Sequence, residues 1–210
     1  MLKGKFIVFE GINGCGKTSQ LKKIIEEVIS NENKYKKYQF VFGKEPTYDS
    51  EYGLKLRELM LKSKNPHDDA ELFTEYMIKD REHHCKNFII PNLNYGANVI
   101  LDRYKHSTYA FQQAQGIHFD LIALAHKKIS SIIAPDLTFI FDVPSYVAIQ
   151  RLKKRDKKRK FEQRDFLELV RWNYLSLPKM LSGEKIIIID GTKSIDDIFS
   201  QVKSEFEKLF

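Results

Sequence analysis

The segment Gly11-Ile12-Asn13-Gly14-Cys15-Gly16-Lys17-Thr18 is the feature that most restricts how this 210-residue chain can fold. Its spacing is Gly-x-x-x-x-Gly-Lys-Thr. It follows the apolar run Phe6 to Phe9 and precedes an amphipathic stripe that begins at Leu21. A glycine-rich turn between a buried strand and a helix directs backbone N–H groups and the positive end of the helix toward an anion. The pattern therefore predicts a strand–loop–helix unit that binds the phosphates of a nucleotide.

Two side chains of this loop are expected to act on the nucleotide directly. Lys17 is predicted to reach the β- and γ-phosphates, and Thr18 is predicted to ligate Mg²⁺. We take residues 11–18 together as the ATP-binding candidates. Cys15 lies next to a helix start, which favours a lowered thiol pKa and a redox role; the simpler interpretation is that this position only tolerates a small residue.

Apolar runs alternate with helical periods along the rest of the chain. After Phe6–Phe9, four more apolar runs lack polar alternation: Gln39–Phe42, Val99–Leu101, Leu137–Phe141 and Ile186–Ile189. Five such strands separated by helices predict an α/β fold with a five-stranded parallel sheet covered by helices on both faces. Because we find no repeat, linker or low-complexity segment, we expect a single domain over residues 1–210.

The helical periods give approximate bounds for the connecting segments. Helices are predicted at about Glu51–Lys62, at about Asp69–Leu93 with an end near Pro91 and Gly96, and at about Ser107–Ser131 with a break near Gly116. Further helices are expected after Ser145, over Phe166–Leu177, and after Ser194, where Asp197 would complete a capping box.

The positive charge of the chain is concentrated in one short arm. Residues 153–160 contain seven basic residues and one acidic residue, which accounts for +6 of the net charge of +7. A duplex-binding protein usually presents a broad basic face, so a nucleic-acid partner is not expected. The apolar runs are far shorter than the ~18 residues of a membrane span. Two cysteines and no export signal predict a reducing, cytoplasmic location.

Three of the predicted strands end in an aspartate: Asp102, Asp142 and Asp190. Ligands of an open parallel sheet gather at the carboxyl ends of its strands, so each of these carboxylates is a candidate second anchor for Mg²⁺. Periodicity does not choose among them. Asp102 is favoured because Arg103, a residue suited to binding phosphate, follows it directly.

Several short motifs occur in the order in which thymidylate kinases carry them. They are Phe9-Glu10-Gly11, Lys44-Glu45-Pro46-Thr47, Asp80-Arg81 with His84, Asp102-Arg103-Tyr104, Ser107 to Gln112, Pro135-Asp136-Leu137-Thr138, Asp142-Val143-Pro144, and Phe161-Glu162 after the basic arm. The chain resembles this family along nearly its whole length. The resemblance implies a three-layer P-loop kinase fold, transfer of the γ-phosphate of ATP to dTMP with Mg²⁺, and a homodimer. The alternatives are a kinase that uses another pyrimidine monophosphate or a deoxynucleoside as acceptor, and a nucleic-acid-binding ATPase.

The resemblance also implies roles for individual residues at the acceptor site. It assigns Arg103 to the dTMP phosphate with help from Lys44, and Arg81 and Gln112 to the thymine base. Ser107 is a further substrate-binding candidate, and Asp102 is expected to act near Mg²⁺.

Three positions depart from the usual pattern of the family. Lys44 stands where an arginine is usual, and a lysine lacks the bidentate hydrogen-bond geometry of a guanidinium. Asn13 stands where a carboxylate normally contacts the sugar 3′-hydroxyl, and an amide accepts that hydrogen bond more weakly. Met77 stands where an aromatic ring normally stacks on thymine. Phe73, one helical turn earlier, or Tyr76 beside it is a candidate to supply the ring.

The basic arm is predicted to be a mobile lid at about residues 151–164. One branch of the family carries a catalytic arginine in its phosphate loop, and this chain has Gly14 there. The resemblance is therefore to the branch whose arginine comes from the lid, with Arg155 or Arg159 stabilising the transition-state charge. No general base is needed, because a phosphate monoester with a second pKa of about 6 is mostly dianionic at pH 7.

Overall fold

The computed structural model describes residues 3–152 and 161–210, and the side chains of these residues except 32 and 33. Its centre is a parallel sheet of five strands in the order β2-β3-β1-β4-β5. The strands are β1 (Phe6–Gly11), β2 (Phe40–Lys44), β3 (Asn98–Asp102), β4 (Leu137–Asp142) and β5 (Ile186–Asp190). The predicted α/β fold with five parallel strands is confirmed.

Helices connect the strands in chain order. They are α1 (Lys17–Ser30), α2 (Glu32–Tyr35), α3 (Glu51–Lys62), α4 (Ala70–His84), α5 (Ile90–Tyr95), α6 (Lys105–Ala114), α7 (Phe119–Lys127), α8 (Ser145–Leu152), α9 (Arg164–Met180) and α10 (Ile195–Glu207). Within the described ranges, none of these helices is long and apolar enough to cross a membrane.

Strand β1 explains why its sequence is apolar without alternation. Ile7 and Phe9 pack in the larger hydrophobic cluster of the protein, whereas Phe6 and Val8 pack in a second cluster on the opposite face. Successive residues of a strand point to opposite faces, so a strand covered on both sides needs apolar residues at every position. This central strand ends at the phosphate loop and thereby fixes the loop in the middle of the sheet edge.

The predicted helix over residues 69–93 is interrupted. A turn of π-helix, Cys85–Ile89, joins α4 to α5, and the Ile90 N–H donates to the Cys85 carbonyl five residues earlier. Pro91 has no N–H to donate, and the wider turn lets the chain pass it without breaking the helical path. The segment ends at Gly96, whose φ of 101° favours glycine.

Other boundaries differ from the predictions by a few residues. Strand β2 runs to Lys44, two residues beyond its predicted end at Phe42. The extension occurs because the β2 backbone pairs with β3 as far as Asp102. Helix α7 ends at Lys127 rather than near Ser131. The predicted cap of the last helix is confirmed, since the Ser194 side chain accepts from the Asp197 N–H.

Candidate active site

The phosphate loop lies between β1 and α1, as the sequence predicts. Gly14 has a φ of 84°, and a Cβ atom there would lie 2.5 Å from the carbonyl oxygen of Ala148. No side chain fits this position without moving the backbone of α8. The loop therefore has no room for the arginine that one branch of kinases carries here.

Lys17 points from the start of α1 to the end of β3, where its Nζ donates to Asp102 Oδ1. The other two strand-end aspartates have different partners. Asp142 accepts from Arg171 at 2.6 and 3.0 Å, and Asp190 accepts from the Thr192 hydroxyl at 2.6 Å. Of the three candidates, Asp102 is thus the one in contact with the phosphate-loop lysine, which favours it as the metal anchor.

Arg103 connects the phosphate loop to α6. Its Nη2 donates to Asn13 Oδ1 at 2.7 Å and its Nη1 to Ser107 Oγ at 3.0 Å. The guanidinium also lies over the Phe111 ring, with 5.2 Å from Cζ to the ring centroid. The structure therefore brings the predicted residues Asn13, Arg103 and Ser107 together at the carboxyl edge of the sheet.

Glu10 belongs to the motif Phe9-Glu10-Gly11, but it was not among the predicted site residues. It is fully buried and accepts from the backbone N–H groups of Tyr104 at 2.7 Å and Ser107 at 3.1 Å. The hydroxyls of Ser107 and Tyr174 also donate to it, at 2.7 and 2.9 Å. An acid that directly follows a wholly apolar strand could have signalled this role, because a buried carboxylate requires partners.

Arg81 lies in a buried cluster on the far side of α6. Its Nε donates to Glu45 Oε2 at 2.7 Å, and its Nη1 donates to Thr108 Oγ1 at 3.0 Å and to His126 Nε2 at 2.8 Å. His84 Nδ1 lies 3.1 Å from the second oxygen of Glu45. The positive charge of Arg81 is thus balanced inside the protein.

His126 was not singled out by the sequence, and the geometry fixes its tautomer. Its Nδ1 lies 2.9 Å from the carbonyl oxygen of Ile122, which can only accept, so Nδ1 carries the proton. Nε2 is then the acceptor for Arg81. Burial, followed by the charge of Arg81, holds the pKa of His126 well below its usual value of 6.5.

Asp80 holds the loop that follows β2. Its carboxylate accepts from the Thr47 N–H at 2.9 Å, from the Thr47 hydroxyl at 2.6 Å and from Ser50 Oγ at 2.5 Å. The same loop contains Glu45 and the cis peptide bond between Glu45 and Pro46. This anchoring keeps Glu45 against Arg81.

The remaining base-side candidates are dispersed. Phe73 is buried and packs edge-on against Phe161, with ring centroids 5.6 Å apart, whereas Met77 is half-buried. Tyr76 instead contacts Tyr52 of α3. Gln112 is buried, and its amide donates to Gln115 Oε1 at 2.8 Å.

Three further predictions concern Lys44, Cys15 and the two arginines of the basic arm. Lys44 is exposed at the end of β2, in register with Asp102. Cys15 is buried, and burial raises the pKa of its thiol, contrary to the expected lowering by the helix start. Arg155 and Arg159 lie outside the described residues.

A parallel sheet of order 2-3-1-4-5 with a Gly-x-x-x-x-Gly-Lys-Thr loop after its central strand, and an Asp-Arg pair at the adjacent strand end, defines a P-loop kinase. The sequence pattern of the family described as thymidylate kinase matches residues 9–202. The chain belongs to the thymidylate kinase family.

Sequence identity to individual thymidylate kinases supports this assignment. The chain is 35% identical to a thymidylate kinase of Prochlorococcus marinus (strain NATL2A) over 99% of this chain and 98% of the relative. It is 34% identical to a probable thymidylate kinase of Archaeoglobus fulgidus, over 96% and 94% of the two chains. It is 40% identical to a thymidylate kinase of Brachyspira hyodysenteriae, over 80% and 78%.

Proposed function

We propose that this protein transfers the γ-phosphate of ATP to dTMP and releases ADP and dTDP. The observation that carries the proposal, beside the family match over residues 9–202, is the contact between Arg103 and Asn13 of the phosphate loop. An arginine at this point would lie between a donor phosphate bound by the loop and an acceptor phosphate at the sheet edge. The family and the names of its members give no support to a nucleoside acceptor or to a nucleic-acid-binding ATPase.

In the proposed reaction, an oxygen of the dTMP phosphate forms a bond to the γ-phosphorus while the bond to the β-phosphate oxygen breaks. The electron pair leaves with ADP. The backbone N–H groups of residues 11–18 bind the donor phosphates, and Lys17 stabilises the charge that develops on the transferring group. Catalysis rests on alignment and charge neutralisation, since the acceptor phosphate needs no base.

The oxygen donors at this edge fit Mg²⁺, which binds through one or two protein oxygens together with substrate phosphates and water. Thr18 and Asp102 are the residues that would hold it. The ion would supply charge neutralisation at the β- and γ-phosphates. In the structure Asp102 contacts Lys17, so its carboxylate already faces the place where the phosphates would bind.

On the acceptor side, Arg103 and Lys44 would bind the dTMP phosphate, and Asn13 would accept a hydrogen bond from the sugar. Arg81, Gln112 and one of the side chains Phe73 and Met77 would contact the base. The half-buried state of Met77 supports it as a residue that reaches the ligand, whereas the buried packing of Phe73 supports an indirect role.

The catalytic lid at about residues 151–164 of a single domain spanning the chain remains a prediction from the sequence, as does a cytoplasmic location. We expect alanine at Arg155 or Arg159 to lower kcat by about 10²- to 10³-fold at whichever position supplies the catalytic arginine. If both variants retain the kcat of the wild type, the lid-arginine prediction is wrong.

We further propose that two copies associate through α3, α4 and α7. Helix α4 packs against both α3 and α7, and this side of the protein exposes Leu54 and Leu61 on α3 and Leu121 and Leu124 on α7. Light scattering after size exclusion is expected to give twice the chain mass of 24.7 kDa. L121E with L124E should give a monomer, whereas the control I29E, an equally exposed position on α1, should remain dimeric.

The decisive assay for the activity measures ADP release from ATP and Mg²⁺ with dTMP, dUMP, UMP, CMP, AMP and GMP offered one at a time. Selective turnover of dTMP is the expected result. Selective turnover of another monophosphate would reassign the acceptor, and absence of turnover with every acceptor would overturn the proposed activity.

A further inference from the structure

Tyr174 joins a distant helix to the predicted phosphate-binding arginine. It lies on α9, and its side chain is buried. The hydroxyl is 2.9 Å from Glu10 Oε2 and 3.1 Å from Arg103 Nη1. A buried tyrosine hydroxyl usually finds a hydrogen-bond partner. This hydroxyl lies within hydrogen-bond distance of the Glu10 carboxylate, of the Arg103 guanidinium and, at 2.9 Å, of the Ser107 hydroxyl.

The direction of each hydrogen bond follows from the chemistry of the partners. A guanidinium N–H only donates, so the Tyr174 oxygen accepts from Arg103. Four donors surround the two oxygens of Glu10, so Glu10 acts as the acceptor for the Tyr174 proton. Burial and the neighbouring Glu10 raise the pKa of Tyr174 well above 10, which keeps this proton in place.

Ser107 repeats the arrangement. Its hydroxyl donates to Glu10 Oε2 at 2.7 Å and accepts from the same Nη1 atom of Arg103 at 3.0 Å. One nitrogen of Arg103 is therefore held by two hydroxyls, and both hydroxyls are oriented by the same buried acid. Burial of this acid without its donors would be costly, so the orientation is rigid.

The other end of Arg103 leaves little freedom. Its backbone has a φ of 73°, in the left-handed region, and its N–H donates to the Phe9 carbonyl at 2.9 Å. Its Nη2 donates to Asn13. The side chain starts from a fixed backbone and ends at a junction of the phosphate loop, α6 and α9.

We propose that Tyr174, together with Ser107, is a positioning residue that orients Arg103 toward the phosphate of the acceptor nucleotide. The proposal rests on the proposed contact between Arg103 and that phosphate. Loss of the Tyr174 hydroxyl leaves Arg103 Nη1 with one acceptor fewer, so the guanidinium samples other orientations. Binding of the acceptor's phosphate is weakened, and binding of its base and sugar is unchanged.

The test compares dTMP with thymidine, which has the same base and sugar but no phosphate. Y174F keeps the ring and removes the hydroxyl. It is expected to raise KM for dTMP by about 10-fold, the loss typical of one hydrogen bond to a charged group, and to leave the inhibition constant of thymidine unchanged. A general loosening of the fold would weaken both ligands together.

Y35F is the matched control. Tyr35 is also a buried tyrosine whose hydroxyl lies near a glutamate, 3.4 Å from Glu207 Oε1, but it sits at the β2 edge of the sheet. Y35F should leave both the dTMP and the thymidine constants unchanged. If Y174F lowers the affinity for both ligands equally, or changes neither, the inference is wrong.

Two further variants separate the possible failures. R103K should raise the ratio of KM for dTMP to the inhibition constant of thymidine more than Y174F does. If R103K leaves that ratio intact, the proposed phosphate contact itself is wrong. If R103K changes the ratio and Y174F does not, only the role of Tyr174 is overturned. S107A removes the second hydroxyl and decides the matter if Y174F does not fold: a raised ratio supports the proposal, and an unchanged ratio overturns it.

Discussion

The two ends of the proposed site differ in how far their charged side chains are exposed. We call the end that contains Asp102 and Arg103 the phosphate end, and the end that contains Arg81 and Glu45 the base end. At the phosphate end the side chains of Asp102 and Arg103 are 22% and 17% exposed, although both have protein partners. At the base end the side chains of Arg81 and Glu45 are 1% and 3% exposed and pair with each other. The charges of the first region are partly accessible to a ligand, and those of the second are paired inside the protein.

This difference matches the chemistry that each end must perform. A transferring phosphoryl group develops negative charge, so cations with access to it lower the barrier. A nucleobase is neutral, so an unpaired buried charge beside it would destabilise the folded protein without an ionic partner on the ligand. In the proposed role of Arg81, the charge balance supplied by Glu45 would let its N–H groups serve as donors to a base. The predictions below set the two ends against each other.

The largest effect is expected at the phosphate end. K17A removes the cation that faces the donor phosphates and should lower kcat by about 10³-fold while the protein remains folded. Steady-state kinetics with saturating ATP and dTMP measure it. K23A, at a half-buried lysine of the same helix that pairs with Asp196, is the control and should keep wild-type kcat. A kcat of K17A within 10-fold of the wild-type value would contradict the proposed role of Lys17 at the donor phosphates.

At the base end the expected loss is one of stability. E45Q leaves the buried Arg81 without its counter-charge and should lower the free energy of unfolding by about 3 kcal/mol. Urea denaturation measures the change. E75Q, which breaks the exposed pair of Glu75 with Lys79 on the same helix α4, should leave the denaturation midpoint unchanged. Equal midpoints for E45Q and wild type would show that the Arg81 charge is not balanced by Glu45.

A smaller effect should appear in the pH dependence of stability. The pKa of His126 is depressed in the folded protein, so the unfolded chain binds its proton first as the pH falls below about 6.5. This contribution to stability is fully present above that pH and is lost progressively below it, by about 1 kcal/mol at pH 5.5. H126Q, whose amide oxygen can accept from Arg81, should lose less stability than wild type between pH 7.5 and pH 5.5.

The control for H126Q is the same change at an exposed histidine. H118Q, at the residue that precedes α7, should follow the wild-type pH dependence. Parallel curves for H126Q and wild type would mean that His126 is not held in its neutral form by the fold.

The smallest effect is expected where the base would stack. M77F restores the aromatic residue that the resemblance predicts at this position, and stacking on thymine should lower KM for dTMP by about 2- to 10-fold with kcat unchanged. M60F, a methionine of α3 outside the proposed site, is the control. A higher KM for M77F would indicate that the ring does not fit beside the base.

The grouping of residues at the phosphate end could be predicted from local sequence because they lie in two short continuous segments. Residues 11–18 form a continuous loop, and Asp102-Arg103 follow a strand whose apolar run is visible in the sequence. Strand order then brings β3 beside β1, which is why Lys17 meets Asp102. Among Asp102, Asp142 and Asp190, the sequence already favours Asp102 because Arg103 follows it. The structure adds that Asp102 contacts Lys17, whereas the other two aspartates have different partners.

The base end was much less predictable, because its contacts cross four separate elements. Arg81 on α4 meets Glu45 from the loop after β2, Thr108 on α6 and His126 on α7. No periodic pattern links positions so far apart in sequence. The π-helical turn at Cys85–Ile89 was not predicted, because its apolar spacing fits a regular α-helix.

The sequence by itself determined that the chain forms a parallel sheet with a phosphate loop at the end of its first strand. Hydrophobic periodicity and glycine spacing are local properties of the chain, so they can be identified without knowing which distant residues pack together. Only the tertiary structure decided that Glu10, Ser107 and Tyr174 converge on Arg103 and that His126 completes the surroundings of Arg81. These contacts exist because buried polar groups must find partners, and the fold determines which residues are near enough to serve.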